Sequence, residues 1–269
     1  SDVDEDDLTL TLSGTDADSF NLSTDNVLTF KEAPDFETKS SYSITLSLTD
    51  ATETVTKDVT ISITNLNDTA PVFTSEATFS AAENQTAIGT ITATDADSDS
   101  VTFTVSGSEL VITSAGVLTF ASAPDYEIKS IYSATVTATD GTNPTTQDIT
   151  VNITNLNDTA PVFTSEATFS AAENQTAIGM VTATDADGDA ITFTISGTEL
   201  AITSAGVLTF ISAPDYETKT TYMATVTASD VINTVDQDIT VNVTDISEGT
   251  TFSGEAIDGY ISGANVFID

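Results

Sequence analysis

Four carboxylate features recur along this sequence in fixed order, and they are the residues whose type and spacing could do chemistry. Glu83 and Glu173 stand in two copies of AAEN; Asp95 and Asp97 form an Asp-x-Asp pair answered by Asp185 and Asp187. Asp125 and Glu127, in PDYE, are answered by Asp215 and Glu217, and Asp140 is answered by Asp230. Each falls where an apolar alternation breaks, at a strand end or turn. Oxygen-rich groups of this kind suit Ca²⁺, which takes about 6–8 oxygen ligands at about 2.3–2.6 Å with tolerant geometry. Mg²⁺ keeps its waters and demands an octahedron, so it fits less well. Asp-x-Asp by itself is often turn chemistry; the whole set repeating in register is more specific.

Other chemistries are excluded by what is missing. The 269 residues contain no His, Cys or Trp. That removes imidazole bases, thiol nucleophiles, Ser-His-Asp triads, disulfides and the usual zinc or copper ligands. Paired carboxylates could serve glycoside hydrolysis, but an active site copied into consecutive small domains without a Trp platform would be anomalous, so no enzyme is expected. The DADGDAI stretch superficially resembles a helical calcium loop. That loop needs glycine at its sixth position and glutamate at its twelfth, where this sequence has Ala190 and Ser196.

Charge narrows the partners further. There are 42 acidic residues against 5 basic ones, all lysine, for a net charge of −37. Such a surface excludes nucleic acid, whose phosphates want cations, and docking on anionic membranes. No run reaches the roughly 18 apolar residues of a membrane helix, so no membrane insertion is expected. Acidity also serves solubility in halophilic or marine proteins, but clustering of the acids argues against that as the whole reason. A folded chain this acidic repels itself unless cations neutralise it. No signal peptide opens the chain, which reads as a processed or excerpted piece.

The elements that must position these acids are strands. The run NLNDTAPVFTSEATFSAAENQTAIG occurs at 65–89 and again, unchanged, at 155–179, a period of 90 residues. Tyr132, Ala134, Val136 and Ala138 alternate with Ser133, Thr135, Thr137 and Thr139, the pattern of a half-buried strand. Val101, Phe103 and Val105 repeat it, as do Ile149, Val151 and Ile153. No stretch shows a helical period, and the short runs broken by Gly, Pro, Asn and Asp predict an all-β sandwich of about seven strands per repeat. Asn67, Asp68 and Pro71, with Asn157, Asp158 and Pro161, interrupt the alternation and mark the joints. Flexible linkers are usually rich in Gly and Ser, whereas these are Asn and Asp, short enough for neighbouring domains to share ligands. The boundaries expected are 1–68, a repeat lacking its first strands; 69–158 and 159–247, complete repeats; and 248–269, the opening strands of a further, truncated β-domain.

Glu in AAEN, Asp-x-Asp, PDYE, a strand-ending aspartate and NLNDTAPVF together resemble the cadherin repeat in its bacterial cadherin-like form, over residues 1–244. The resemblance implies tandem seven-strand Greek-key sandwiches of the cadherin/immunoglobulin-like kind, with calcium at each junction. Carried over by position, the first junction would use Asp35, Glu37, Asn65, Asn67, Asp68, Asp95, Asp97 and Asp140. The second would use Glu83, Asp125, Glu127, Asn155, Asn157, Asp158, Asp185, Asp187 and Asp230. Glu173, Asp215, Glu217, Asp245 and Glu248 would begin a third, whose following Asp-x-Asp is missing. Two departures stand out: Asn65 and Asn155 occupy linker positions where the family has aspartate, and the first repeat lacks a counterpart of Glu83.

The function this implies is spacing: a calcium-dependent, rod-like extender in a secreted or surface protein, a bacterial adhesin or extracellular-matrix protein. Two alternatives stand beside it. The repeats could themselves bind identical repeats or surface polysaccharide, which calls for exposed aromatics, or the chain could be a subunit of an extracellular filament.

Overall fold

A computed structural model describes residues 7–50 and 52–248. Residues 1–6 and the predicted C-terminal strands at 249–269 lie outside the described residues. The chain divides into two compact units, Ser1–Leu156 and Asn157–Asp269. Among the described residues there is no α-helix, and one 3₁₀ turn, Ala17–Ser19, interrupts the strands.

Within the first unit, residues 72–154 form two facing sheets and a short two-stranded one, Val72–Phe73 with Ala93–Thr94. The larger runs in the order Thr102–Val105, Ile131–Thr139, Pro144–Thr154 and Thr78–Ala82, the last pair parallel and the others antiparallel. The smaller joins Leu110–Ile112, Val117–Phe120 and Ala87–Thr90. The alternating residues read from the sequence point inward: Val136, Ala138, Ile149 and Val151 are at most 1% exposed and meet Leu110, Leu118 and Phe120 from the opposite sheet. Burying a Leu or Val side chain of this kind stabilises by about 1.5–3 kcal/mol. The threonines between them face outward, where branching at Cβ still suits the pleat.

The earlier part of this unit is built on the same plan with less of it. A sheet of Thr9–Ser13, Ser41–Thr49 and Thr54–Ser62 stands with the hairpin Phe20–Leu22/Leu28–Phe30. Among the described residues there, only Phe20 and Ile44 are buried apolar ones. Val59 and Ile61, the counterparts of Ile149 and Val151, are half-buried. The physical reason is the outer edge of Thr54–Ser62: among the described residues it pairs with no strand, whereas Pro144–Thr154 carries Thr78–Ala82 on that side.

The second unit repeats the complete plan. Thr168–Ala172, Thr234–Thr244, Thr221–Ser229 and Thr192–Ile195 form one sheet, and Ala177–Met180, Val207–Phe210 and Leu200–Ile202 the other. Val226, Ala228, Ile239, Val241 and Leu208 fill its core at no more than 1% exposure. In each sandwich the loops carrying the acids lie at the strand ends, so the sheets hold them without the acids entering the core.

Candidate metal centre

Local hydrogen bonding shapes each acidic turn first. Asp35 Oδ1 accepts from the backbone N–H groups of Glu37 and Thr38 at 3.0 and 3.4 Å, and its Oδ2 accepts from Thr38 Oγ1 at 2.7 Å. These bonds hold the Asp35 carboxyl below the usual carboxylate range. Asp125 and Asp215 cap the same turn in the later repeats, accepting from Ile128 and Thr218. Asp140 and Asp230 do the equivalent in the hairpins that follow the long strands. Each accepts from two backbone N–H groups, Thr142 and Asn143 or Ile232 and Asn233, at 2.6–2.8 Å. Burial opposes ionisation of both carboxyls, and these donors, with the Asn143 and Asn233 side chains, outweigh it and hold them low. None of these five aspartates belongs to the close carboxylate groups described next.

In the first unit, Glu37, Asp68 and Asp97 each bring one carboxylate oxygen within 4.8 Å of the others. The linker is stitched to the Asp-x-Asp loop to achieve this. The N–H groups of Asp68 and Thr69 donate to Asp97 Oδ2 at 3.1 and 2.9 Å, and Asn65 Nδ2 donates to the Asp97 carbonyl at 2.7 Å. Asn67 Oδ1 accepts from Asn143 Nδ2 at 2.8 Å, which ties the linker to the Asp140 hairpin. Asp97 is 4% exposed, yet its Oδ1 accepts no hydrogen bond, and neither does the buried Oδ2 of Asp95. A buried polar oxygen left without a donor costs about 1–3 kcal/mol, and Asp97 and Asp95 each lie in a close group with further carboxylates. Loss of water, and then the neighbouring Asp97 and Asp35, push Glu37 up to about 7. The set is chemically suited to a hard divalent cation.

Asp99 joins Asp95 and Asp97 in a second close group, as Asp189 joins Asp185 and Asp187 in the second unit. Asp99 N and Asp189 N donate to Asp95 Oδ1 and Asp185 Oδ1 at 3.1 and 3.2 Å. Asp99, Asp189, Asn143 and Asn233 were not singled out from the sequence; the alternate spacing Asp-x-Asp-x-Asp could have pointed to the first two.

The AAEN glutamates are the most enclosed acids. Glu83 is 2% exposed and accepts from Leu156 N and Tyr126 N at 2.7 and 2.8 Å, inside the first unit. Glu127 and Asn155 lie exposed in that unit. In the second unit Glu173 is 1% exposed and accepts from Ile246 N at 2.9 Å and Tyr216 N at 2.8 Å, which lower its pKa. Glu217 and Asp245 complete a group with it. Glu217 is raised: its own backbone N–H favours the anion, but loss of water and the Glu173 and Asp245 charges prevail. Asn174 Nδ2 donates to Glu248 beside it. Also in this unit, Asp158 N and Thr159 N donate to Asp187 Oδ2 at 3.1 and 2.9 Å. Asn157 bridges to the Asp230 hairpin, donating to the Asp230 carbonyl and accepting from Asn233.

Three of the aromatics that could have formed a stacking platform are committed elsewhere. Phe103 and Phe120 are buried, and Tyr132 packs edge-on against Phe120 with ring centroids 5.1 Å apart.

No protein-family profile matches the sequence. Cadherin-23 of Mus musculus is 32% identical over 178 residues, covering 60% of this chain and 5% of that protein. Chitinase A of Pseudoalteromonas piscicida is 30% identical over 182 residues, covering 65% of this chain and 22% of that protein. Across the cadherin relatives the chain spans between 3% and 7% of their length. Among solved structures, repeats EC22-24 of mouse cadherin-23 superpose with a TM-score of 0.69 at 20% identity, covering 89% of this chain and 86% of that one. The fold is that of tandem cadherin-like repeats.

Proposed function

We propose that the chain is a calcium-dependent extender region of an extracellular adhesive protein, in which each acidic joint stiffens when it binds Ca²⁺. The observation that carries this is a pair of buried, donor-free oxygens: Oδ1 of Asp97, which groups with Glu37 and Asp68, and Oδ2 of Asp95, which groups with Asp97 and Asp99. Glu37, Asp68, Asp95 and Asp97 would hold the ion, and Ca²⁺ would supply the charge that these oxygens lack. Without it, each close carboxylate pair repels by about 1–4 kcal/mol, depending on the effective dielectric. Extracellular calcium modules have dissociation constants of about 10⁻⁴–10⁻³ M, which suits a joint that sets after export.

The repeated sequence extends the proposal. Residues 155–158 repeat 65–68, so Asn155, Asn157 and Asp158 are assigned the ligand roles of Asn65, Asn67 and Asp68, with Glu83, Glu127, Asp185 and Asp187 as their companions. The boundaries at 68/69, 158/159 and 247/248 and the setting in a bacterial surface adhesin are part of the same reading. Support for the adhesive setting comes from the cadherin-like fold and the cadherin relatives. Support for spacing comes from joints copied almost verbatim.

A protease test is direct, because the first linker contains Asp68. Endoproteinase Asp-N should cut the calcium-free chain between Asn67 and Asp68 at least several-fold faster than the calcium-loaded chain. Equal rates in millimolar calcium and in calcium-depleted buffer without chelator, which leaves this zinc protease active, would defeat the proposal.

A further inference from the structure

Cations are so scarce here that their placement is informative. Lys129 and Lys219 are the only basic residues beyond position 57, and with Lys39 they occupy one equivalent position, two residues after Glu127, Glu217 and Glu37. The same arrangement surrounds all three. The lysine N–H donates to the carbonyl of the aspartate that opens the turn, at 2.9 Å in each case. The Lys129 ammonium lies 2.5 and 2.7 Å from the two Glu109 oxygens and 4.4 Å from the centroid of the Tyr132 ring. Lys219 pairs with Glu199 at 2.7 Å and lies 4.4 Å over Tyr222. Lys39 pairs with Asp16 and lies 4.9 Å over Tyr42. Each tyrosine in turn packs edge-on against a phenylalanine: Tyr132 on Phe120, Tyr222 on Phe210, Tyr42 on Phe30.

The acid that receives the lysine is not the same residue of the repeat. Ser19 stands in the first region where Glu109 and Glu199 stand later, and Asp16 lies in the stretch 14–20, which is three residues longer than its counterparts 107–110 and 197–200. The anion has moved, but the lysine, its aromatic face and its acid partner have been kept. Exposed ion pairs contribute little stability, so stability alone is a weak reason for the only cation in each later repeat to be held this way.

We propose that Lys39, Lys129 and Lys219 are positioning residues for the metal site, clamping the acidic turn to the core so that Glu37, Glu127 and Glu217 present their carboxylates to the cation. The clamp acts through the turn and rests on the calcium reading above. Its sign distinguishes it from simple electrostatics. A lysine near an anionic site repels Ca²⁺, so removing it would tighten binding if charge were its only influence. If the lysine positions the turn, removing it weakens binding, as loss of an outer-shell partner does by roughly 10-fold or more.

The test is calorimetric calcium titration of the full chain and of the triple variant K39M/K129M/K219M, which shifts every site together. The expected result is a midpoint roughly 10-fold higher in the variant. The triple variant K39R/K129R/K219R, which keeps the cation over the ring, should stay within about 3-fold of the parent. Should the triple methionine variant not fold, K39M alone should weaken part of the titration and leave the rest in place. Unchanged or tighter binding in the methionine variants overturns the clamp. So does failure of arginine to restore the midpoint while melting in EDTA is normal. A parent chain that binds no calcium overturns the calcium reading itself, a different failure.

Discussion

Two groups of three carboxylates, one in each unit, look alike in composition and differ in what they lack. Glu173, Glu217 and Asp245 gather in the second unit around a glutamate already served by the N–H groups of Ile246 and Tyr216. Glu37, Asp68 and Asp97 gather in the first unit around an aspartate with one oxygen doubly served and the other buried without a donor. Backbone dipoles stabilise the first kind of anion permanently. On the calcium reading proposed above, the second kind is completed by a cation that comes and goes. A count of acids therefore does not identify a metal site; unmet need among buried oxygens does.

The largest expected consequence is in stability. At a calcium concentration 100 times the dissociation constant, binding to the folded state alone adds about 2.7 kcal/mol. Differential scanning calorimetry should show that gain in a transition involving the first unit, with a smaller one attributable to the Glu173 group. Equal gains at both would erase the distinction drawn between them.

A smaller effect separates the same hairpin in the two units. Beside Asp230, Val231 has φ +91°, while its counterpart Gly141 beside Asp140 has φ +100°. A β-branched residue is strained in that region, where glycine is not. Val231→Gly should relieve about 1–2 kcal/mol of strain, partly offset by about 0.5–1 kcal/mol of unfolded-chain entropy. The expected net is a melting temperature for the second unit raised by a few degrees. Gly141→Val should lower that of the first, and no change in either would remove strain as a difference between the units.

The smallest effect is in pH dependence, and its sign differs between the two groups. Glu37, pushed up to about 7 in the folded metal-free chain, holds its proton more tightly than an unfolded glutamate. Its contribution to stability is full below about pH 4.5 and is lost as pH rises through about 7. Glu173 is lowered when folded, so its contribution is present above its ordinary pKa and lost as pH falls through the lowered value. Denaturant melts in EDTA at pH 4, 6 and 8 should show these opposite slopes, and calcium should remove the Glu37 slope.

The sheets were readable because alternation over Tyr132–Ala138 and Ile149–Ile153 is a one-dimensional signal of which face is buried. The 90-residue period made the repeats equally plain. Asp68, Asp97 and Glu37 could be named because acids recurring in register stand out from an acidic background. The fate of individual oxygens could not be read. Asp35 and Asp140 spend theirs on N–H groups two or three residues along, which depends on φ and ψ in the turn. Asp97 keeps one oxygen without a donor because the linker backbone reaches only the other. Such contacts join residues about 30 positions apart and leave no local trace. The lysine clamp left a trace only as a repeated position, since its acid partner comes from two different places in the repeat.

The most direct test is a calcium titration of the full chain beside Asp97→Asn, which keeps the shape of the side chain and removes the charge. At the first site the variant should bind roughly 10-fold more weakly or worse, while Glu217→Gln, in the other unit, leaves the affinity of that first site within about 3-fold of the parent. Asp97→Asn binding calcium as the parent does, with its melting in EDTA unchanged, would show that the buried oxygens are not what holds the ion.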